Sequence, residues 1–457
     1  MSGKKQTGRP DPRKAALAVL EQFFAGKGLL DRLTDRIFAQ RPGMSKKERA
    51  LVTALVFGTV RHLGRVDFAL SLASDKPLEK TRPQVLCLLR LGAFQLLFMD
   101  RPPALVVDWC VHTARKKAPW SAGYVNAVLR RVAKGGRVLP LPDFETDPVA
   151  HLATAESFPP WMVARWAERL GAEEARNLCR SQNAIPPITV RENPTAPGFE
   201  PPGPFLEKVV ENLAPGRYAP GSLTFVSPKR PLAELSAHKK GFITVQDEGS
   251  QLVGLLVGAR PGERVLDACC GMGAKTGQLV QAMDNQGFIL ATDTDAKKLP
   301  VLEREMERIG AKCVEARAVS SGEAFTRADE ELMDRVLVDA PCSGLGALRK
   351  HPDAKWTRTA GDLVRHQANQ LSILENAARS VAPGGVLVYA VCSLEPEENE
   401  DVAAAFLEGR PDFSLVPAGE RLPAAARAMA GDDGFFRSWP HRFSTDGFFA
   451  AVFARKP

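Results

Sequence analysis

In the first 140 residues, apolar positions recur at the three- and four-residue spacing of amphipathic helices. Between Arg13 and Phe24 the apolar side chains fall on one broad face. Ser45, followed three residues later by Glu48, has the pattern of a capping box at the start of another helix. Further helical patterns cover residues 65–73, 83–99, 104–117 and 121–134. The pattern therefore predicts an all-helical N-terminal part.

The C-terminal half alternates between short apolar runs, which predict buried strands, and helical patterns. The predicted strands are 264–267, 287–295, 311–318, 335–339 and 385–391, with a closing antiparallel pair at 434–437 and 447–453. A helix over about 360–381 separates two of them. This alternation predicts a doubly wound α/β sheet that ends in an antiparallel pair.

The region between these halves is less regular. Gly135-Gly136 and the prolines at 140 and 142 indicate a linker, and residues 151–183 return to a helical pattern. A short strand is predicted over Ile188–Arg191, and prolines and glycines are then dense to about Pro231. The pattern predicts only short strands and loops there.

Composition places the chain among globular proteins and excludes several classes. Its 457 residues are 44% hydrophobic and 25% charged, and they exceed one ordinary domain. No apolar run approaches the roughly 20 residues of a membrane span, and no secretory signal is evident. The eight cysteines form no C-x-x-C pair, which favours reduced thiols, no metal site and a cytoplasmic location.

Charge is unevenly distributed along the chain. Residues 1–140 contain 26 Lys and Arg against 10 Asp and Glu, a net charge of +16, whereas the remainder carries −8. A basic front half of this kind indicates contact with a polyanion, although a solvated helical surface would give the same count.

A glycine-rich turn follows the first predicted strand of the C-terminal half. The stretch Val265–Thr276 reads as a strand ending in Asp267, a turn of small residues and a helix, which is the opening unit of a nucleotide-binding sheet. Asp293 lies 26 residues after Asp267, near the position of an acid that holds an adenosine ribose. Capping of the next helix is the alternative role for Asp293.

Two cysteines follow later strands of the same predicted sheet. Cys342 comes after the strand that ends at Asp339, and Cys392 follows another strand 50 residues further on. A thiolate at such a position is a candidate nucleophile. The alternative is that both cysteines are small buried apolar residues.

Four motifs stand out in the C-terminal half. They are Asp-Ala-Cys-Cys-Gly-Met-Gly-Ala-Lys-Thr at 267–276, Asp-Ala-Pro-Cys-Ser-Gly-Leu-Gly at 339–346, His-Pro-Asp-Ala-Lys-Trp at 351–356, and Val-Cys-Ser-Leu-Glu-Pro-Glu-Glu-Asn at 391–399. Together they resemble the bacterial ribosomal RNA cytosine-C5 methyltransferases of the Sun/Nol1/Nop2 group. The front half resembles, more loosely, a helical NusB-like RNA-binding domain. The resemblance implies three domains, namely 1–145 (NusB-like), 146–235 (a small α+β module of the RNA-recognition type) and 236–457 (a Rossmann-like methyltransferase).

The same resemblance implies a chemistry and a set of site residues. Cys392 would be the nucleophile, and Cys342 would assist resolution of the covalent adduct. The implied cofactor is S-adenosylmethionine, and the implied partner is small-subunit ribosomal RNA, bound by a monomer without membrane or metal. Asp339 is expected to bind the cytosine edge or the cofactor, with capping of its loop as the alternative. Lys275 and Lys355 are candidates for binding the cofactor carboxylate or the RNA backbone, and the alternative is that each is merely solvated. The implied cofactor-binding residues are Cys269, Cys270, Gly271, Met272, Gly273, Ala274, Lys275, Asp293 and Asp339.

The chain departs from the family pattern at the cofactor. Met272-Gly273-Ala274-Lys275 replaces the usual Pro-Gly-Gly-Lys, and a positive φ at Ala274 would cost about 1 kcal/mol. Ala318-Val319 stands where a Gly-Asp pair is expected to reach the adenine.

Three alternatives remain open at this point. The same chemistry could act on transfer RNA. A catalytically decayed RNA-binding assembly factor would explain the altered cofactor loop. A NAD-dependent dehydrogenase shares the turn but accounts for neither cysteine.

Overall fold

A computed structural model describes residues 11–326 and 331–457, which divide into two compact units. The first contains the described residues up to Asn183 together with His351–Thr357, and the second contains Ala184–Lys350 and Arg358–Pro457. The predicted division into three domains, 1–145, 146–235 and 236–457, remains a proposal, and residues 1–10 lie outside the described chain.

The first unit is helical, as its apolar periodicity predicts. Its helices are α1 (Pro12–Phe24), α2 (Leu30–Gln40), α3 (Lys46–Arg61), α4 (Leu63–Ala73), α5 (Pro83–Phe98), α6 (Pro103–Lys117), α7 (Ala122–Gly135), α8 (Pro148–Ala155), α9 (Pro160–Leu170) and α10 (Ala172–Asn183). α5 is apolar on most of its surface and contacts α1, α3, α4, α6 and α7, so it forms the centre of the core. The predicted capping box is present at the start of α3, where Glu48 N donates to Ser45 Oγ and Ser45 N to Glu48 Oε2.

The second unit begins with a small antiparallel sheet. Its strands are β1 (Ile188–Glu192), β2 (Glu211–Pro215), β3 (Ser222–Val226) and β4 (Ile243–Val245), in the order β2-β3-β1-β4. β4 lies beyond residue 235, yet it pairs with β1. Because strand pairing joins residues distant in sequence, local composition does not mark the end of this sheet.

The larger sheet has eight strands in the described chain. They are β5 (Arg264–Asp267), β6 (Phe288–Asp293), β7 (Val314–Ala318), β8 (Met333–Asp339), β9 (Val381–Val391), β10 (Phe413–Val416), β11 (Phe436–Ser438) and β12 (Phe448–Arg455). Their order is β10-β12-β9-β8-β5-β6-β7, with β11 also paired to β12. The strands from β5 to β9 run parallel, and β12 closes the sheet antiparallel to β9, which confirms the predicted fold class.

Helices cover this sheet and connect its parallel strands. In chain order the remaining helices are α11 (Gly203–Leu206), α12 (Ser236–Lys239), α13 (Glu248–Val257), α14 (Ala274–Ala282), α15 (Leu299–Ile309), α16 (Ala354–Thr357, in the first unit), α17 (Ala360–Ala378), α18 (Glu400–Gly409) and α19 (Pro440–Phe443). No helix among the described residues is long and apolar enough to cross a membrane.

The parallel strands deliver their carboxyl ends to one edge of the sheet. Asp267 ends β5, Asp293 ends β6 and Asp339 ends β8, whereas Cys392 follows β9 directly. In register, Asp267 lies beside Leu337 of β8, and Asp339 lies beside Ala390 of β9. This edge is therefore where a ligand would meet several functional side chains at once.

Candidate active site

The loop between β5 and α14 makes a tight turn at two glycines. Gly271 has φ +57° and Gly273 has φ +94°, a conformation that side chains with a Cβ rarely adopt. Gly273 precedes Ala274, which is the first residue of α14 and is not among the residues with positive φ. The conditional cost predicted for Ala274 therefore does not arise, because the two glycines provide the freedom that the turn needs.

Asp267 is a buried acid beneath this loop. Its side chain is 1% exposed, and Thr276 Oγ1 donates to its Oδ2 at 2.7 Å. Its Oδ1 has no hydrogen-bond partner among the described residues. Burial raises the pKa of Asp267 to about 7. The sequence predictions did not include this residue in the site, although its position at the end of the first strand was a usable signal.

Asp293 ties the glycine turn to the end of β6. Gly271 N donates to its Oδ2 at 3.0 Å, Asp295 N donates to its Oδ1 at 2.8 Å, and Lys298 pairs with the carboxylate. The acid thus braces the loop and also faces the adjoining cavity.

A cavity of about 240 Å³ opens at this edge of the sheet. Its lining is Ala268, Cys269, Gly271, Asp293, Thr294, Lys298, Val319, Ser320, Ser321, Gly322, Glu323, Phe325, Asp339, Pro341, Asn369, Ser372, Ile373 and Asn376. Four of the predicted cofactor-binding residues belong to it, namely Cys269, Gly271, Asp293 and Asp339. The others do not line it: Cys270 is buried in the core, Met272 is 67% exposed, and Gly273, Ala274 and Lys275 start α14.

One side of the cavity was absent from the sequence predictions. Asn369, Ser372, Ile373 and Asn376 recur at helical spacing, so a single face of α17 lines the cavity. Mixed polar and apolar residues at that spacing were the available signal. Val319, which occupies the position of the family's expected acid, also lines the cavity.

Lys275 contributes through an ion pair. Its Nζ lies 2.7 Å from Asp339 Oδ2, and only 10% of the Lys275 side chain is exposed. The ammonium also lies 5.1 Å from the centre of the Phe448 ring. Lys275 therefore fixes the Asp339 carboxylate at the cavity wall and brings a positive charge towards the cysteines.

The structure brings the two predicted cysteines together. Cys342 Sγ and Cys392 Sγ are 3.3 Å apart, and both residues are half-buried. The backbone supports this approach, because Ala340 N donates to Ala390 O and Gly346 N donates to Cys392 O, each at 2.9 Å. All eight cysteines of the chain are free thiols.

The pair is electrostatically asymmetric. The hydrogen bond with Cys342, assisted by the charge of Lys275, lowers the pKa of Cys392. The same hydrogen bond, with burial and the negative charge of Glu398, raises the pKa of Cys342. The two thiols share one hydrogen bond, and their surroundings shift the two pKa values in opposite directions.

Lys355 does not lie where the sequence prediction put it. It is fully buried in the helical unit, where its Nζ donates to Arg61 O and Ser157 O at 3.2 Å and to Asn183 Oδ1 at 2.6 Å. The prediction that it binds cofactor or RNA was wrong, because three acceptors and the Phe158 ring enclose the ammonium. Burial lowers its pKa well below the usual value.

Among residues 11–326 and 331–457, no three His, Cys, Asp or Glu side chains are grouped so that they could hold a metal ion. The cavity nevertheless suits a sulfonium nucleoside. Asp293 and Asp339 are acids in its wall, and Val319, Phe325 and Ile373 provide apolar surface.

Two family models match the chain. The model described as 16S rRNA methyltransferase RsmB/F matches residues 255–454, and the model of the NusB family matches residues 10–134. The first range contains the glycine turn, the cavity and both cysteines. The second range covers helices α1 to α7.

Relatives of the same length extend this match to the whole chain. A Bacillus subtilis protein, "Probable ribosomal RNA small subunit methyltransferase B", is 33% identical over 99% of this chain and 100% of its own. The Pseudomonas syringae "Ribosomal RNA small subunit methyltransferase B" is 32% identical over 93% and 96%. The crystal structure of PH0851 has a TM-score of 0.80 at 27% identity, and the match covers 98% of this chain and 100% of that one. Sequence, fold and site geometry agree, and the chain belongs to the ribosomal RNA small subunit methyltransferase B family.

Proposed function

We propose that this protein uses S-adenosylmethionine to methylate C5 of a cytosine in small-subunit ribosomal RNA, through a covalent bond between Cys392 and C6 of the base. The observation that carries the proposal is the cysteine pair, with sulfur atoms 3.3 Å apart. Cys342 of this pair directly follows Pro341, which lines the cavity together with Asp339.

C5 of cytosine is a weak nucleophile, and the proposed role of Cys392 is to activate it. When the thiolate adds to C6, the electrons of the C5–C6 double bond move to C5, which can then accept a methyl group. S-adenosylmethionine, when bound, supplies that methyl group from a positively charged sulfur. A base then removes the C5 proton, the double bond re-forms, and the C6–S bond breaks to release the Cys392 thiolate.

Each neighbouring side chain has a defined task in this scheme. Cys342, as a thiol, donates a hydrogen bond to the Cys392 thiolate and stabilises it before attack and on departure. Asp339, held by Lys275, would accept a hydrogen bond from the cytosine amino group. Asp293 would bind the ribose hydroxyls, and Asp267 Oδ1 would accept from the cofactor ammonium group. The target base must leave its stack to reach the cysteines.

Methyl transfer from labelled S-adenosylmethionine tests this proposal. We expect wild type to label cytosine C5 in protein-free small-subunit RNA, and we expect Cys392→Ala to lose activity by at least about a thousandfold because the nucleophile is gone. Cys342→Ala should accumulate a protein–RNA adduct that survives denaturing gel electrophoresis. Cys313→Ala, at a partly buried cysteine outside the cavity lining, is the matched control.

The alternatives give different results in the same assay. Labelling of transfer RNA but not ribosomal RNA would move the proposal to the other substrate. RNA carrying 5-fluorocytosine traps the adduct, because fluorine cannot leave C5 as a cation. A wild-type protein that neither forms this adduct nor binds the cofactor would be the decayed assembly factor.

A further inference from the structure

Glu398 is a buried acid that the proposed chemistry leaves without a task. It ends the short 3₁₀ turn Pro396–Glu398, and it is fully buried. Its carboxylate accepts hydrogen bonds from Ser343 N at 2.7 Å and Gln370 Nε2 at 3.1 Å. It also accepts from the hydroxyl groups of Ser343 and Ser393.

These donors connect Glu398 to both cysteine loops. Ser343 follows Cys342 in the chain, and Ser393 follows Cys392, so one carboxylate joins the two loops that carry the thiols. The acid itself is held in place, because the hydroxyl of Tyr389 in β9 donates to Glu398 O at 2.6 Å. Gln370 of α17 completes the network by donating to Pro341 O at 3.1 Å.

A buried carboxylate is a costly way to join two loops if packing is its only purpose. Here the negative charge of Glu398 also acts on the Cys342 thiol. Together with the Cys342–Cys392 hydrogen bond and burial, that charge raises the pKa of Cys342. Glu398 thus combines a geometric and an electrostatic effect on the same cysteine.

We propose that Glu398 is a positioning residue that keeps Cys342 as a thiol within hydrogen-bonding distance of Cys392, and that it thereby controls release of RNA from the covalent adduct. The inference rests on the proposed function. It assigns to Glu398, the last residue of the 3₁₀ turn Pro396–Glu398, a role in the last step, after methyl transfer.

Glu398→Gln is the direct test, because it preserves shape and removes the charge. In the glutamine side chain, an NH₂ group replaces one carboxylate oxygen. A donor then faces the groups of Ser343, Gln370 and Ser393 that donate to Glu398 in the wild type. We expect turnover on ordinary RNA to fall about tenfold or more, the usual effect of losing a hydrogen bond to a charged group. The variant should accumulate the RNA adduct on unmodified cytosine while still forming the 5-fluorocytosine adduct at the wild-type rate.

Two further variants separate positioning from folding. Glu398→Asp retains the charge and should restore part of the release rate. Ser343→Ala removes one donor and leaves the carboxylate, so it should accumulate adduct to a smaller extent. Glu397→Gln, in the same turn, is the control and should turn over like wild type. Glu398 does not line the cavity, so a folded variant should bind the cofactor like wild type. Calorimetry of cofactor binding therefore checks that each variant is folded.

The outcomes distinguish this inference from the proposed function. If Glu398→Gln binds cofactor but loses 5-fluorocytosine trapping and turnover equally, its role is not in release and the inference is overturned. If Glu398→Gln does not fold, Ser343→Ala provides the test. A Ser343→Ala enzyme that turns over without accumulating the RNA adduct would overturn the inference. If wild type forms no 5-fluorocytosine adduct, the proposed function fails and this inference fails with it.

Discussion

At the scale of single residues, the acids at the carboxyl ends of β5 and β6 have very different surroundings. Asp293 is hydrogen-bonded through both oxygens, whereas Asp267 is buried with one oxygen lacking a partner. Leaving a buried acid partly unsatisfied costs stability, and burial raises its pKa. Burial of Asp267 therefore has a measurable consequence for stability.

The pKa of Asp267 predicts a pH dependence of stability. Its folded value of about 7 exceeds the value of 3.8 for an unperturbed Asp. Between these values the native state binds more protons than the unfolded state, so the free energy of unfolding falls as pH rises from about 4 to about 7. One proton contributes up to about 1.4 kcal/mol per pH unit. Asp267→Asn should flatten this slope in urea denaturation of the cofactor-free protein.

The matched control is Glu303→Gln, which changes an exposed acid of α15 and should keep the wild-type slope. A variant at Asp267 that reproduces the wild-type slope would contradict the assignment. Adding S-adenosylmethionine supplies a second readout, because an ammonium group at Oδ1 would stabilise the carboxylate and weaken the dependence.

At the scale of elements, the helical unit uses strong local signals. The capping box at α3 satisfies backbone donors that have no partner within the helix. Lys355 in α16 shows the opposite case, a long-range interaction. Its ammonium group donates to three acceptors that lie far apart in the sequence of the same unit. The capping box is readable from four consecutive residues, whereas the Lys355 site is not.

Removing the α3 cap should therefore have a local and measurable cost. Ser45→Ala deletes the oxygen that accepts from Glu48 N, and we expect the helical unit to lose about 1 kcal/mol of stability. Thermal unfolding followed by circular dichroism would measure the change. Thr53→Ala is the control, because it removes a hydroxyl from an exposed site on the same helix. Equal destabilisation by both changes would contradict a capping role.

At the scale of the whole molecule, positive charge is concentrated in the residues before 140. A groove between α6 and α7 presents part of that charge. Its lining is Asp108, Val111, His112, Arg115, Ala122, Gly123, Asn126 and Arg130. Arg130 Nε donates to Asn126 Oδ1 at 2.9 Å, so one guanidinium is oriented at the groove wall. Two arginines across a groove suit the phosphates of a bound RNA.

Charge reversal in the groove should weaken RNA binding in a salt-dependent way. For the double variant Arg115→Glu and Arg130→Glu, we expect the slope of log affinity against log salt to become shallower by about 1.5, for two lost phosphate contacts. Fluorescence anisotropy with a labelled small-subunit RNA at several KCl concentrations measures this slope. The control reverses Arg32 and Arg36, two exposed arginines of α2. If control and groove variants behave alike, net charge alone explains the binding.

Much of the fold was predictable because its signals are local. Helical periodicity, the cap at Ser45 and the strands that end in Asp267, Asp293 and Asp339 depend on neighbouring residues, and the structure confirms these elements. β9 begins at Val381 rather than 385, because Met333 of β8 pairs with Val381. The short strand β10 was not predicted, since its four residues become a strand only by pairing with β12.

The sequence by itself determined the order of elements and which residues stand at the strand ends, because backbone periodicity and turn chemistry act over a few residues. Tertiary structure alone decided the 3.3 Å approach of Cys342 and Cys392, the α17 face in the cavity, the burial of Lys355 and the link from Glu398 to both cysteine loops. These features depend on burial and on hydrogen bonds between residues that are 50 or more positions apart, or that come from different elements. Such contacts exist only once the sheet and its covering helices have assembled.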